Sequence, residues 1–252
     1  FVADADNNKI RGAEVATGAV TTLAGSGEEG DADGVGGAAR FNCPRGLAPS
    51  PDGSALFVAD CENHKIRRVE VATGAVTTLA GSGEEGDADG VGDAAHFNGP
   101  AGLALSLDGS ALFVADVMNN KIRRFEVATG AVTTLAGSGD EGDADGVGDA
   151  AQFANPAGIA VSPDGGALFV ADCMNNKIRR VEVATGAVTT LAGSGEDGDA
   201  DGVGDAAQFC FPYGMAISTD GGALFVADQC SHKIRRVEVA TGAVTRIAGS
   251  GT

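Results

Sequence analysis

An all-β fold, a β-propeller of four-stranded antiparallel blades, is predicted by three observations. A 56-residue period runs the length of the chain, each period holds four short apolar runs divided by turn residues, and no window shows the 3.6-residue apolar stripe of a helix. The string FVAD begins at residues 1, 57, 113, 169 and 225, and VATGAV at 15, 71, 127, 183 and 239. The 252 residues make 4.5 periods, so alike that recent duplication or consensus design is the natural explanation. The 40 glycines recur at fixed places in the period, which marks them as turn residues and excludes a collagen-like repeat.

Residues 45–100 show the elements in order. The first strand is read over Gly46 to Ser50, and Pro51-Asp52-Gly53 makes a tight turn, with proline fixing φ and glycine supplying a positive φ. The second strand, Ala55 to Ala59, is rich in residues that suit a pleated sheet. A loop from Asp60 to His64 leads to the third strand, Lys65 to Val71, and Thr73-Gly74 turns the chain into the fourth, Ala75 to Ala80. A sheet of this size cannot hide both apolar faces alone, so it must stack on neighbours. Phe57 and its equivalents Phe1, Phe113, Phe169 and Phe225, with Phe41, Phe97, Phe153 and Phe209, are expected in those stacked cores. The period divides a single domain, 1–252, into blades at 1–27 (partial), 44–83, 100–139, 156–195 and 212–252. Five second strands are visible but only four first strands, so the blade opened by Phe1 lacks its inner strand. Two readings follow: a fragment of a six-bladed or longer array, or a five-bladed ring whose incomplete blade offers a route to oligomerisation. The chain opens inside a repeat, so the lack of a visible signal sequence assigns no compartment.

The pattern P-x-G-L-A-x-S-x-D-G-x-A-L-F-V-A-D-x-x-N-H-K-I-R-R-V, read from Pro44 to Val69, resembles the NHL repeat, and the ATGAVTTLAGSG and GDADGVGDAAxF stretches resemble its long-loop form. The similarity recurs in every unit. It implies a β-propeller, usually of six blades, used mainly for protein or RNA binding and as a scaffold. Some relatives of similar architecture are lyases and lactonases with a metal at the central channel.

The formal net charge of −18 argues against nucleic acid and anionic membrane partners, which require clustered Lys and Arg. No run of about 18 apolar residues suggests a membrane span. Because the units are near-identical, their differences are informative. One variable zone follows FVAD, and includes Cys61, Glu62, Met118, Met174, Gln229 and Cys230. The other precedes the first strand, with Arg40, His96, Gln152 and Gln208, then Cys43, Asn155 and Phe211, then Arg45 and Tyr213. The end of the second strand and the start of the first share a sheet edge, so both zones are expected on one loop-rich face, where propellers carry binding residues.

The connector between blades holds 19 of the 35 acidic residues. It reads as a solvated acidic turn that discourages association. A calcium site is the alternative, with Asp87, Asp89 and Asp93, or Asp143, Asp145 and Asp149, as oxygen ligands, although the run is shorter than an EF-hand loop and lacks its terminal glutamate. Fourteen of the 17 basic residues lie in the K-I-R-R segments, where exposed ion pairs to the connector would each contribute about 0.2–1 kcal/mol. The Asp that closes FVAD is expected to accept from backbone N–H groups of the loop after it. His64 and His232 hold places filled elsewhere by Asn8, Asn120 and Asn176, which points to loop hydrogen bonding. No nucleophile elbow, phosphate loop or zinc motif is present. Cys43 is placed near Cys61, and Cys210 near Cys230, so two disulfides are hypothesised.

The sequence therefore predicts a non-enzymatic module that recognises a protein or peptide through one acidic face, without catalytic residues or cofactor. The rival readings are a calcium- or zinc-dependent lyase- or lactonase-like propeller and a purely structural array.

Overall fold

The run Ser50-Pro51-Asp52-Gly53 reverses the chain because Gly53 takes φ 69°. The Asp52 carboxylate then accepts from the Ser50 hydroxyl at 2.6 Å and the Ser54 N–H at 3.0 Å. Such turns join the strands of five antiparallel sheets in a computed structural model that describes residues 1–250. In the second sheet the long strands are Pro44–Pro49, Ala55–Asp60, Lys65–Glu70 and Ala75–Ala80. A two-residue strand from the preceding connector, Gly34–Val35, pairs with the fourth (Gly34 with Val76, Val35 with Ala75). The expected four-stranded blade is thus a five-stranded sheet, its extra edge strand too short to show a period in sequence. The third, fourth and fifth sheets repeat this order. The first sheet has three strands, Val2–Asp4, Lys9–Ala13 and Val20–Ala24, and lacks the inner strand, as predicted. The loop expected at Asp60 to His64 contains a short 3-10 turn, Cys61–Asn63. No helix among the described residues is long and apolar enough to cross a membrane.

The chain divides into two compact units, residues 1–114 with 124–133, and residues 115–123 with 134–252. In the first unit, strand alternation sends Leu56, Val58, Val69 and Val76 to one side of the second sheet, packed with Ile10, Ala24 and Phe41. Phe57, Ala59, Ile66 and Ala80 go to the other side, packed with Leu103, Leu112, Val114 and Phe125 of the third. In the second unit, Phe169, Ala171, Ile178 and Ala192 of the fourth sheet meet Leu224, Val226, Val237 and Val244 of the fifth. Burying one such side chain contributes roughly 1.5–3 kcal/mol, so each sheet depends on its neighbours. Phe57 and Phe169 are sealed as expected, at 4% and 1% exposure. Phe1 and Phe225, in the first and last sheets, are not, at 55% and 38%.

The first strands approach their neighbours closely. Each carries a bulge between its opening proline and the third residue beyond, with a glycine inside it. A Cβ built on Gly46 would lie 1.9 Å from the Ala101 carbonyl oxygen, and one on Gly158 would lie 2.2 Å from that of Tyr213. Only glycine fits at either place.

Candidate functional site

The loop edge is built on a buried ion clamp. Period-two alternation puts Arg67 on the same side of the third strand as Val69, so the arginine points into the sheet stack. Arg67 and Asp60 are both fully buried and joined at 2.6 Å. The guanidinium also reaches Asp33 of the connector at 2.8 Å and the carbonyls of Arg40 and Ala32, each at 3.2 Å. Its plane covers the Phe41 ring at 5.3 Å. In the second unit Arg179 does the same with Asp172, Asp145, Gln152, Ala144 and Phe153, and Arg235 with Asp228, Asp201, Gln208, Ala200 and Phe209. Burial pushes the Asp60 and Asp172 carboxyls above their ordinary value, and the hydrogen bonds and the arginine oppose it.

Three expectations are corrected here. The Asp closing FVAD does not bond backbone N–H groups of the loop that follows. Asp60 accepts from the Asn42 N–H ahead of the first strand, the Asn63 side-chain amide and Arg67. The acidic connector is not a free solvated turn, because the third-strand arginine and lysine hold it down and the arginine is wholly buried. Nor does the calcium reading fit Asp143 and Asp145, since Lys177 holds Asp143 at 2.5 Å and Arg179 holds Asp145 at 2.8 Å. Asp149 lies exposed in the 3-10 turn Gly148–Ala150 beyond them. Asp87, Asp89 and Asp93 occupy the matching places one period earlier. Among the described residues no group of three or more His, Cys, Asp or Glu is placed to hold a metal ion.

The lysine contacts predict acid lability. Hydrogen bonds from Lys65, Lys177 and Lys233 hold the Asp31, Asp143 and Asp199 carboxyls below the usual range. The folded state then binds fewer protons than the unfolded chain, so this stability is present above the unfolded value of about 4 and is lost as pH falls through the depressed values. Asp52 and Asp108, lowered to about 2 by their turn serines, act with the same sign. Urea unfolding as a function of pH checks it. Asp143→Asn is expected to be less stable than wild type at pH 7, with the difference vanishing near pH 2.

The variable residues stand on this frame. Pro44 pairs with Asp60, Pro156 with Asp172 and Pro212 with Asp228, so in each of these sheets both variable zones share an edge, as predicted. The residue before each proline has a left-handed backbone: Cys43 φ 51°, Gly99 63°, Asn155 50° and Phe211 56°. Its N–H donates to the side chain 35 residues back: to Asn8 from Cys43 at 2.8 Å, to His64 Nδ1 from Gly99 at 3.2 Å, to Asn120 from Asn155 at 2.9 Å and to Asn176 from Phe211 at 2.9 Å. That explains the Asn-for-His exchange, since both side chains supply the acceptor and tolerate their own left-handed φ.

In the first unit Arg40, Arg45 and Glu62 are exposed, Cys43 is half-buried and Cys61 is buried. His96 is turned to the connector, its Nδ1 3.2 Å from the Ser82 hydroxyl. In the second unit Gln152 and Gln208 are likewise connector-packing residues, their N–H groups bonded to Ala144 and Ala200. The remaining predicted residues of that unit lie on its loop edge. Met118 and Met174 are 60% and 54% exposed, and the Asn155 amide donates to the Met118 sulfur at 3.7 Å. Phe211 and Tyr213 stack with ring centres 6.3 Å apart and planes 13° from parallel. Gln229 and Cys230 are exposed beside them on the facing strand end. All five cysteines are free thiols here, so neither hypothesised disulfide is closed in this structure, although each pair stands opposed as expected. Sequence reasoning missed the clamp arginines as residues that position this edge, and the signal was the placement of Arg67 on the side of Val69. The Asn-or-His position reads in sequence as one of loop hydrogen bonding, and it is. At the other end of the strands, in the first unit, Pro51, Phe57, Arg68, Leu105 and Asp108 line an open cleft of about 360 Å³.

No protein-family model matches the chain. It is 31% identical over 263 residues to Protein SUPPRESSOR OF QUENCHING 1, chloroplastic, of Arabidopsis thaliana, covering 100% of this chain and 25% of that protein. It is 31% identical over 257 residues to NHL repeat-containing protein 2 of Bos taurus, covering 90% of this chain and 35% of that one. The chain thus spans about a third or less of these relatives. Among solved structures, an auxiliary nutrient binding protein from Bacteroides thetaiotaomicron superposes with a TM-score of 0.70 at 14% identity, over 98% of this chain and 53% of that one. Virginiamycin B lyase from Staphylococcus aureus superposes with a TM-score of 0.56 at 16% identity, over 96% and 64%. At these identities the solved structures speak to the fold alone, an all-β propeller, here of five blades with the first lacking its inner strand. With the whole-chain relatives and the repeated motif, the chain belongs to the NHL-repeat β-propeller family.

Proposed function

We propose that the chain is a non-enzymatic recognition module that binds a protein or peptide through the loop edge of its second unit. The observation that carries this reading is Phe211. Its position has a left-handed backbone that suits the Gly99 and Asn155 of other repeats, and a bulky residue there costs on the order of 1–3 kcal/mol. Phe211 nonetheless stacks on Tyr213 at an edge that also exposes Met118 and Met174. Aromatic and methionine side chains beside polar loops are the composition of an interface core. The clamp below holds them still, so little ordering is required on binding.

Selection of displayed peptides on the intact chain supplies the ligand for a test. Phe211→Asn with Tyr213→Ala keeps the left-handed position in an amenable residue and removes the rings. Dissociation constants from calorimetry are expected to rise at least about 30-fold, the scale of an interface anchor of about 2 kcal/mol. Arg45→Ala, on the first unit's edge, should leave them unchanged. Equal binding by the doubly substituted chain would defeat the proposal, and turnover of a lactone or ester panel would favour the enzyme reading.

A further inference from the structure

Four of the five cysteines stand in two directly opposed pairs. In the fifth sheet Pro212 pairs with Asp228, and the same antiparallel register carried two rungs outward sets Cys210 against Cys230. The Cys230 N–H donates to the Cys210 carbonyl at 3.0 Å. In the second sheet Pro44 pairs with Asp60, so the next rung sets Cys43 against Cys61, and the Glu62 N–H closes the rung beyond on the Asn42 carbonyl at 3.1 Å. Opposed residues of an antiparallel ladder have Cα atoms about 4.5–5.5 Å apart. A disulfide spans about 4.4–6.8 Å between Cα atoms. In other repeats the places of Cys210 and Cys230 hold Asn42 and Glu62, Asn98 and Met118, and Ala154 and Met174. Cysteine therefore enters both sides of that rung together. The fifth cysteine, Cys173, faces no second thiol and is buried, with its sulfur on the Pro212 carbonyl.

We propose that Cys210 and Cys230 are a modification site, oxidised to a disulfide by a small-molecule disulfide. The exposed Cys230 thiolate attacks one sulfur of the oxidant and expels one thiolate. The Cys210 sulfur then displaces the second, so two electrons pass to the oxidant and the two cysteine protons end on the released thiols. Cys230 is exposed whereas Cys210 is half-buried, which assigns first attack to Cys230, and burial with the neighbouring Cys230 pushes the Cys210 thiol up to about 11. Cys43 and Cys61 have the same register, but Cys61 is buried and Cys43 half-buried, so an oxidant reaches neither freely and this pair reacts later. Burial also pushes the Cys61 thiol up to about 12. The bond would pin the backbone just ahead of Phe211 to the facing strand end. That consequence rests on the recognition reading, whereas the bond itself does not.

The test treats the reduced full chain with oxidised glutathione, then alkylates it in denaturant and digests it with trypsin. Cleavage after Lys and Arg leaves Cys210 and Cys230 together in residues 181–233 and separates Cys43, in 41–45, from Cys61, in 46–65. Alkylation of 181–233 is expected to fall at least about ten-fold, with the peptide lighter by two hydrogens, before 41–45 and 46–65 become joined. Cys173 remains alkylated. Cys230→Ser, checked by circular dichroism for unchanged strand content, should restore alkylation at Cys210. Undiminished alkylation at both cysteines, a lasting glutathione adduct on Cys230 with Cys210 free, or a disulfide-linked dimer would overturn the proposal. A bond that forms without changing peptide affinity would count against the recognition reading alone.

Discussion

Arg179→Ala is expected to destabilise the chain by about 3–5 kcal/mol at neutral pH, the scale of breaking a buried ion pair from one side. The guanidinium is fully buried and serves four oxygens: Asp172 at 2.7 Å, Asp145 at 2.8 Å, Gln152 at 3.0 Å and Ala144 at 3.1 Å. Removing it leaves Asp172 buried without its cation and frees the connector that carries Asp145. Burial already pushes the Asp172 carboxyl upward, and without the arginine the rise is larger. A folded-state carboxyl raised above its unfolded value gains stability as pH falls, so the variant should recover part of its loss relative to wild type on acidification toward pH 5. Arg179→Lys should not rescue it, because a point charge with three donors cannot bridge two carboxylates and two carbonyls. The pair Arg179→Met with Asp172→Leu should lose much less than Arg179→Ala, since the uncompensated charge disappears. Urea unfolding at pH 7 and pH 5 reads all four chains. A loss below about 1 kcal/mol for Arg179→Ala would show that the clamp is not what holds the connector.

Gly158→Ala should cost about 1–3 kcal/mol or more, as overpacking of a closed interior does. Its backbone needs no unusual φ, so alanine would ordinarily stabilise by limiting the unfolded chain. The obstacle is the Tyr213 carbonyl oxygen, 2.2 Å from the added Cβ, and main chain cannot swing aside as a side-chain tip can. Gly166→Ala is the matched control. Its Cβ would meet nothing nearer than the Asp164 carboxylate at 3.4 Å, and other repeats carry Ser54 and Ser110 at that place. Thermal unfolding should show Gly158→Ala well below wild type and Gly166→Ala level with it. Because the displaced atom belongs to Tyr213, the first substitution should also weaken binding of any selected peptide.

Much of the frame was legible because every repeat restates the same punctuation. The fourth strand runs from Ala75 to Ala80 as read, and the second and third differ from their readings by one residue at an end. The first strand starts at Pro44, two residues before the predicted Gly46, because a bulge lets proline open the ladder where no N–H is needed. The strand Gly34–Val35 was illegible, since two residues have no periodicity. The clamp was hidden for another reason: Arg67 meets Asp33 across 34 residues, and charge alone reads as surface. The loop edge proposed for recognition was half legible. Variation located Phe211, Tyr213, Met118 and Met174, but it also collected Arg40, His96, Gln152 and Gln208, which the fold turns toward the connector.

Every polar link of the clamp is shorter than the 56-residue period, reaching 34 residues back to the connector aspartate and 7 back to the strand aspartate. A gene exchange that inserts or deletes one whole period, from whatever point it starts, therefore hands each arginine an equivalent pair of carboxylates. Copy number is free to drift under such exchanges without stranding a buried charge, while an exchange of another length strands one wherever its junction falls between the connector aspartate and its arginine. The register of the charges, like the apolar stacking that shares its period, thus constrains where this array can be lengthened.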